Sequence, residues 1–166
     1  MNYLRSISFA SLVAMITGCS ISTPFKWVEA PVHDSSARVD DDVLIALTHA
    51  HVDSAQRKLF DDGANRVLQS LPSQPGLVGY SVRKQLFGDE VWTATVWTDE
   101  TAMLQFVRSP DHVRAVRDSS SAVRNIEYVR LHVRRSALPV SWSQLLLMAQ
   151  TAASRPVGAS ATSKPT

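Results

Sequence analysis

The stretch from Thr93 to His112, "TATVWTDETAMLQFVRSPDH", decides the fold prediction because it describes a strand that runs directly into a helix. β-Branched and aromatic residues alternate with small ones up to Trp97, which is typical of a strand. Two acidic residues follow, and carboxylates stabilise the positive end of a helix. The Ser109-Pro110 step then restarts the helix, since serine caps a helix and proline is tolerated in its first turn.

The hydrophobic pattern on either side of this stretch predicts three more strands and two more helices. In chain order, the predicted elements are a strand over 42–52, a helix over 54–71, strands over 77–87 and 90–97, a helix over 99–123 that breaks near residue 109, a strand over 126–135 and a closing helix over 141–150. Ser54 is the predicted N-cap of the first helix. The Gly88-Asp89 pair lies between two β-like runs and indicates a hairpin.

This order predicts an α+β, ferredoxin-like β-α-β-β-α-β fold with an added C-terminal helix. The first strand is apolar from Val43 to Leu47 without alternation, so we expect both faces of the sheet to be covered. The two helices cover one face. We expect the same sheet of a second copy to cover the other face in a homodimer, and the alternative is that the closing helix folds over it.

The N-terminus has the positive residue, short apolar core and small residues of a secretory signal. The letters "ITGC", Ile16–Cys19, resemble the bacterial lipobox. That resemblance implies a lipoprotein signal peptide over 1–18, acylation of Cys19 and a lipid anchor in the cell envelope. Ser20 favours the outer membrane, facing the periplasm. The alternative is an ordinary signal peptide in which Cys19, the only cysteine of the chain, is incidental.

The remaining chain predicts one folded domain between two irregular segments. We expect a flexible tether over 19–39, the domain over 40–152 and a disordered tail over 153–166. The net charge is only +2, although arginines cluster late in the chain. An exported protein rarely meets nucleic acid, so we expect no nucleic-acid partner and assign the arginines to a solvated face or to anionic lipid.

Two stretches, Pro75–Val82 and Val91–Val116, carry a family resemblance. They look like the antibiotic biosynthesis monooxygenase (ABM) domain, one of the dimeric α/β-barrel proteins. The matching positions are Pro75, Gly76, Gly79 and Tyr80 at the entry to a strand, Trp97 at the end of the next, Asp99 and Glu100 at a helix start, and Ser109, Pro110 and His112.

The resemblance implies a cofactor-independent monooxygenase that acts on a small aromatic or quinol-like compound. It implies His112 as the catalytic polar group. The expected substrate-binding walls are Trp92, Trp97, Tyr80 and Phe106. The alternative is a non-catalytic lipoprotein that binds a small hydrophobic ligand or serves the structure of the envelope, with these aromatics as core and His112 as a helix residue of the first turn.

Haem binding is a third possibility. The haem-degrading relatives have a Trp and a His at the positions that Phe106 and Val116 occupy here, so haem ligation by that route is not expected. A metal site is not predicted either. His49 and His51 are two apart on a strand and share a face, which makes them the candidates, but a third ligand such as Asp53 or His132 is not placed by the sequence.

Overall fold

The computed structural model of the 166-residue chain describes residues 19–28 and 41–154. The predicted signal peptide, the tether beyond residue 28 and the tail beyond residue 154 lie outside these residues. The strands are β1 (Ser20–Ser22), β2 (Lys26–Trp27), β3 (Asp42–Val52), β4 (Leu77–Gln85), β5 (Glu90–Trp97) and β6 (Val123–Arg134), and the helices are α1 (Arg57–Ser70), α2 (Glu100–Val107), α3 (Pro110–Ser119) and α4 (Trp142–Ala153).

The strands form one antiparallel sheet in the order β1-β4-β5-β3-β6, with β2 also paired to β4. β3 lies between β5 and β6, and α1 connects it to β4, which is the split β-α-β arrangement. The α+β, ferredoxin-like fold with a closing helix is therefore confirmed. In the described part of the chain, the helices are all too short or too polar to span a bilayer.

Local capping signals set where the helices begin. Ser109 accepts a hydrogen bond from the His112 amide with Pro110 directly after it, so the predicted restart is confirmed and the 99–123 helix is divided into α2 and α3. The prediction of Ser54 as an N-cap is wrong. Ser54 lies inside a short 3₁₀ turn, and the side chain that caps this turn is Asp53, which accepts from the Ala55 amide.

The helix-side face of the sheet, which carries Leu44 and the other even-numbered residues of β3, packs against α1, α2 and α3. Trp97 is fully buried there and clusters with Leu44 and Phe106. α1 and α3 also contact each other closely at Gly63, which has no side chain. A Cβ added there would lie only 3.0 Å from the Cβ of Ser119. The helices therefore form one layer over the sheet.

The outer face of the sheet, which carries Val43, Ile45 and Leu47, is covered by α4. Leu145 of α4 is buried in one cluster with these three residues, and Trp142 packs against the same cluster. The alternative expectation, that the closing helix folds over this face, is confirmed for this part of the sheet. The homodimer stays a prediction, and the bare apolar face that motivated it is covered within one chain.

The prediction of a flexible tether from residue 19 is wrong over 20–27, where β1 and β2 pair with the edge of β4. The side chain of Ser81 ties both ends of the domain together there. Its hydroxyl donates to the Thr23 carbonyl at 2.8 Å and accepts from Nε1 of Trp142 at 3.0 Å. This pairing could not be predicted from the sequence, because a run of two or three residues is too short to indicate a strand.

Gly76 should be the least replaceable glycine at the entry to β4. Its φ is +77°, and an added Cβ would lie 2.5 Å from the Cβ of Ala102. Gly76→Ala is therefore expected to lower the free energy of unfolding by about 1–3 kcal/mol or more, measured by urea denaturation. Gly88→Ala is the control, since Gly88 does not have a positive φ and its closest clash is with the side-chain amide of Gln85 and not with backbone. Equal losses in both variants would contradict this account.

Candidate functional site

A cavity of about 430 Å³ lies between the helix-side face of the sheet and helices α1, α2 and α3. Its floor consists of small side chains on the two central strands, which are Ala46, Thr48, Thr93 and Thr95. These short side chains leave space between the sheet and the helices. The floor is not fully apolar, since three of its four residues carry a hydroxyl.

Aromatic side chains form the walls of the cavity. Trp97 and Phe106 stack with their ring centroids 5.1 Å apart, and Tyr80 lies in the same cluster. Nε1 of Trp97 donates to Oγ1 of Thr95 at 2.9 Å, so the buried indole is satisfied and its orientation is fixed. These three predicted wall residues are brought together as expected.

His112, in the first turn of α3, also lines the cavity and is half-buried. Its ring meets Phe106 edge-on at 4.8 Å, and its Nδ1 lies 3.0 Å from the carbonyl oxygen of Val107. A carbonyl only accepts, so Nδ1 carries the proton and Nε2 is the acceptor of the neutral ring. Burial lowers the pKa of His112, and the bond to Val107 opposes this in part. The lowered pKa favours the neutral ring, which is the form that a general base requires.

Residues of β6 that the sequence analysis did not single out form part of the cavity's rim. Ile126 and Tyr128 line it and are exposed, Tyr128 at 68%. Arg130 lines it too, and its guanidinium pairs with Glu100 of α2. The signal for all three is their spacing of two along a strand, which places them on one face.

Trp92 is separated from the other predicted wall residues. It pairs with His49 in the β3–β5 register and lies on the outer face, where the two rings stack at 4.7 Å. The expectation that Trp92 lines the same cavity as Trp97 is therefore wrong. The two tryptophans are five residues apart on one strand, and an odd spacing puts them on opposite faces.

His49 and His51 share the outer face as predicted, and Glu90 of β5 joins them. The third ligand suggested from the sequence is not found nearby. Asp53 caps a turn and forms an ion pair with Arg124. His132 is the strand partner of Leu44, so its side chain lies on the helix-side face, opposite to His49 and His51. Glu90 was missed because only the strand register places it beside the histidines.

Residues 44–118 match the protein family described as antibiotic biosynthesis monooxygenase. This segment contains the floor of the cavity, its aromatic walls and His112. The chain contains an ABM domain. No curated protein matches the chain.

Solved structures share the fold of this ABM domain at low sequence identity. A proposed monooxygenase from Lactobacillus acidophilus NCFM is 16% identical, with a TM-score of 0.51 over 67% of this chain and 51% of its own. A proposed antibiotic biosynthesis monooxygenase from Nitrosomonas europaea is 7% identical, with a TM-score of 0.53 over 60% of this chain and 94% of its own.

A proposed monooxygenase from Fusobacterium nucleatum is 12% identical, with a TM-score of 0.54 over 66% of this chain and 46% of its own. The chain thus spans about half the length of the Lactobacillus and Fusobacterium proteins. At these identities the likeness shows the fold alone.

The lowered pKa of His112 should make the stability of the domain depend on pH. The unfolded chain binds a proton at the ordinary histidine pKa, and the folded chain binds it only at lower pH. Between these two values the unfolded state holds more protons, so the free energy of unfolding falls as the pH is lowered through this window. The contribution of His112 to the free energy of unfolding is fully present at pH values above the ordinary histidine pKa.

Urea denaturation over a pH series should show this loss in the parent, and His112→Gln should remove part of the slope because glutamine does not titrate. The other histidines contribute equally to both proteins and cancel in the difference. An NMR titration of the His112 ring that gives an ordinary or raised pKa would contradict the assignment.

Proposed function

We propose that the ABM domain binds a small aromatic, quinol-like molecule in the cavity and oxidises it with O₂ as a cofactor-independent monooxygenase. The observation that carries the proposal is the position of His112, whose Nδ1 contacts the Val107 carbonyl, in the wall of an aromatic cavity with a hydroxyl-bearing floor. Such a site suits a flat apolar ring with one or two polar groups.

His112 would act as the base. Its Nε2 takes the proton of a phenolic hydroxyl, and the resulting electron-rich ring reacts with O₂. Conversion of a phenol ring to a quinone consumes one O₂, places one oxygen atom in the product and releases the other as water, so the substrate supplies all the electrons. Thr48 and Thr93 offer hydroxyls that orient the polar groups of the ring on the cavity floor, whereas the hydroxyl of Thr95 is engaged by Trp97 and Ala46.

Oxygen uptake with a panel of phenols and hydroquinones tests this proposal. The parent is expected to consume O₂, and His112→Ala is expected to lower the rate about 100-fold or more, the usual contribution of a general base. Ala46→Phe is expected to abolish uptake because the new ring occupies the floor of the cavity. His132→Ala and Ala137→Phe are the matched controls, since both residues are exposed outside the cavity.

The outcomes separate the oxygenase from the alternative, a ligand-binding protein without catalysis. Aromatic compounds that raise the melting temperature of the parent but not of Ala46→Phe, with no oxygen uptake by either, would support the ligand-binding protein. Uptake that is unchanged in His112→Ala would sink the role of this histidine, even if the cavity is the site.

We also propose that the domain is held in the cell envelope, on the periplasmic side of the outer membrane, by acylation of Cys19. Its geometry is compatible with an anchor. Cys19 is exposed, and its carbonyl accepts from the Leu86 amide at 2.8 Å, next to Phe87, which is 90% exposed. An anchor at this position would therefore hold the β1–β4 edge of the sheet, together with the exposed Phe87, beside the membrane surface.

The anchor is tested by metabolic labelling with a fatty acid followed by fractionation of the cells. The parent is expected to carry label and to sediment with the outer membrane. Cys19→Ser should carry no label, since the acyl acceptor is lost, while Ser20→Ala should keep both properties. Two results would contradict the proposal. One is label that persists in Cys19→Ser, and the other is a parent protein that carries no label and stays in the soluble fraction.

A further inference from the structure

Three groups with metal-binding chemistry meet on the outer face of the sheet, away from the cavity. His49 and His51 project from the same face of β3, and Glu90 lies opposite His51 on β5. One ligand atom from each of the three lies within 4.8 Å of the other two. Leu47, one position along the same face from His49, belongs to the cluster that packs under α4.

The local geometry holds these groups toward one point. Oε1 of Glu90 lies 3.7 Å from Nε2 of His49 and 4.0 Å from Nδ1 of His51. Donor atoms around a tetrahedral ion with bonds of about 2.1 Å lie roughly 3.4 Å apart. The separations within the group are at most 4.8 Å, so these side chains, which are 21–31% exposed, must turn toward one another to close on an ion.

One ring nitrogen of His49, Nε2, is buried without a hydrogen-bond partner in the described part of the chain, residues 19–28 and 41–154. The Glu90 oxygen at 3.7 Å is beyond hydrogen-bond length. A buried polar atom without a partner costs free energy, so its presence calls for a partner such as an ion or a water.

The surrounding residues form the support that a metal ligand set needs. Nε2 of Gln85 donates to Oε2 of Glu90 at 2.6 Å, which leaves Oε1 toward the histidines. Oε2 of Glu127 lies 3.6 Å from Nδ1 of His49, beyond hydrogen-bond length but on the side of the ring from which a carboxylate can orient a ligating imidazole. The ring of Trp92 stacks on His49 at an angle of 11° and limits its rotation.

The charges nearby also favour a cation. Glu90 and Glu127 flank the histidines. Two positive groups flank the region: Arg83 lies 5.7 Å over the ring of Trp92, and Arg124 pairs with Asp53 and Asp89. β4 and β3 lie on opposite sides of β5, so Trp92 separates the Arg83 guanidinium from His49.

We propose that His49, His51 and Glu90 bind one divalent transition-metal ion of the Zn²⁺ class, with water in the remaining position. Two imidazoles and one carboxylate are a ligand set that such ions take in proteins, whereas Mg²⁺ and Ca²⁺ prefer oxygen ligands throughout. The site is separate from the cavity and does not depend on the proposed oxygenase. It adds a metal cross-link between β3 and β5.

Titration of the full chain with Zn²⁺ tests the site. The chain is purified in detergent without a histidine tag, stripped with a chelator and titrated by calorimetry. We expect one Zn²⁺ per chain. Glu90→Gln and His51→Ala should each weaken Zn²⁺ binding by at least about 10-fold. Removal of a group that only orients a ligand already lowers metal affinity by about 10-fold or more, and removal of a ligand should lower it at least as much. His132→Ala, which removes an exposed histidine elsewhere on the sheet, should bind as the parent does.

A second measurement uses the parent alone and so does not depend on the folding of variants. Co²⁺ should give a visible absorption band and shift the NMR signals of the His49 and His51 rings. No Zn²⁺ binding by the parent would overturn the site. Equal affinity in folded Glu90→Gln and His51→Ala, or Co²⁺ that leaves both rings unshifted, would also overturn it.

Discussion

The pairing of β3 with β5 is the constraint on which the rest of the structure depends. Both strands bury side chains on both faces, so the register decides the role of every residue along them. The Leu47–Ala94 pair joins the core under α4, and the neighbouring Thr48–Thr93 pair forms the floor of the cavity. A slip of one residue would exchange the two faces. The cavity and the histidine cluster would be lost together.

The fold follows from sequence because the strong elements are long runs of strand-forming or helix-forming residues with clear turn or capping signals at their ends. The predicted bounds of β3 and β5 equal the observed ones, and the Ser109-Pro110 restart marks the start of α3. The weak elements escaped prediction for a physical reason. β1 and β2 are two or three residues long and exist only because β4 offers them an edge, which is a long-range fact.

The site was predictable in part. Tyr80, Trp97, Phe106 and His112 lie together because they come from one strand-helix unit and the strand next to it. Trp92 was misplaced when residue type was given more weight than the alternation of faces. Arg130 and Glu90 could not be assigned from single segments, since each gains its role from a partner on another element.

The order of the strands also gives the domain a direction. Cys19 lies beside β4 at one edge of the sheet, and the exposed rim formed by Ile126 and Tyr128 lies on β6 at the opposite edge. Four inter-strand steps of about 4.8 Å put these edges roughly 19 Å apart. If the Cys19 edge rests on lipid, the β6 rim stands away from it. A ligand that enters the cavity over that rim would then come from the aqueous phase and not directly from the bilayer.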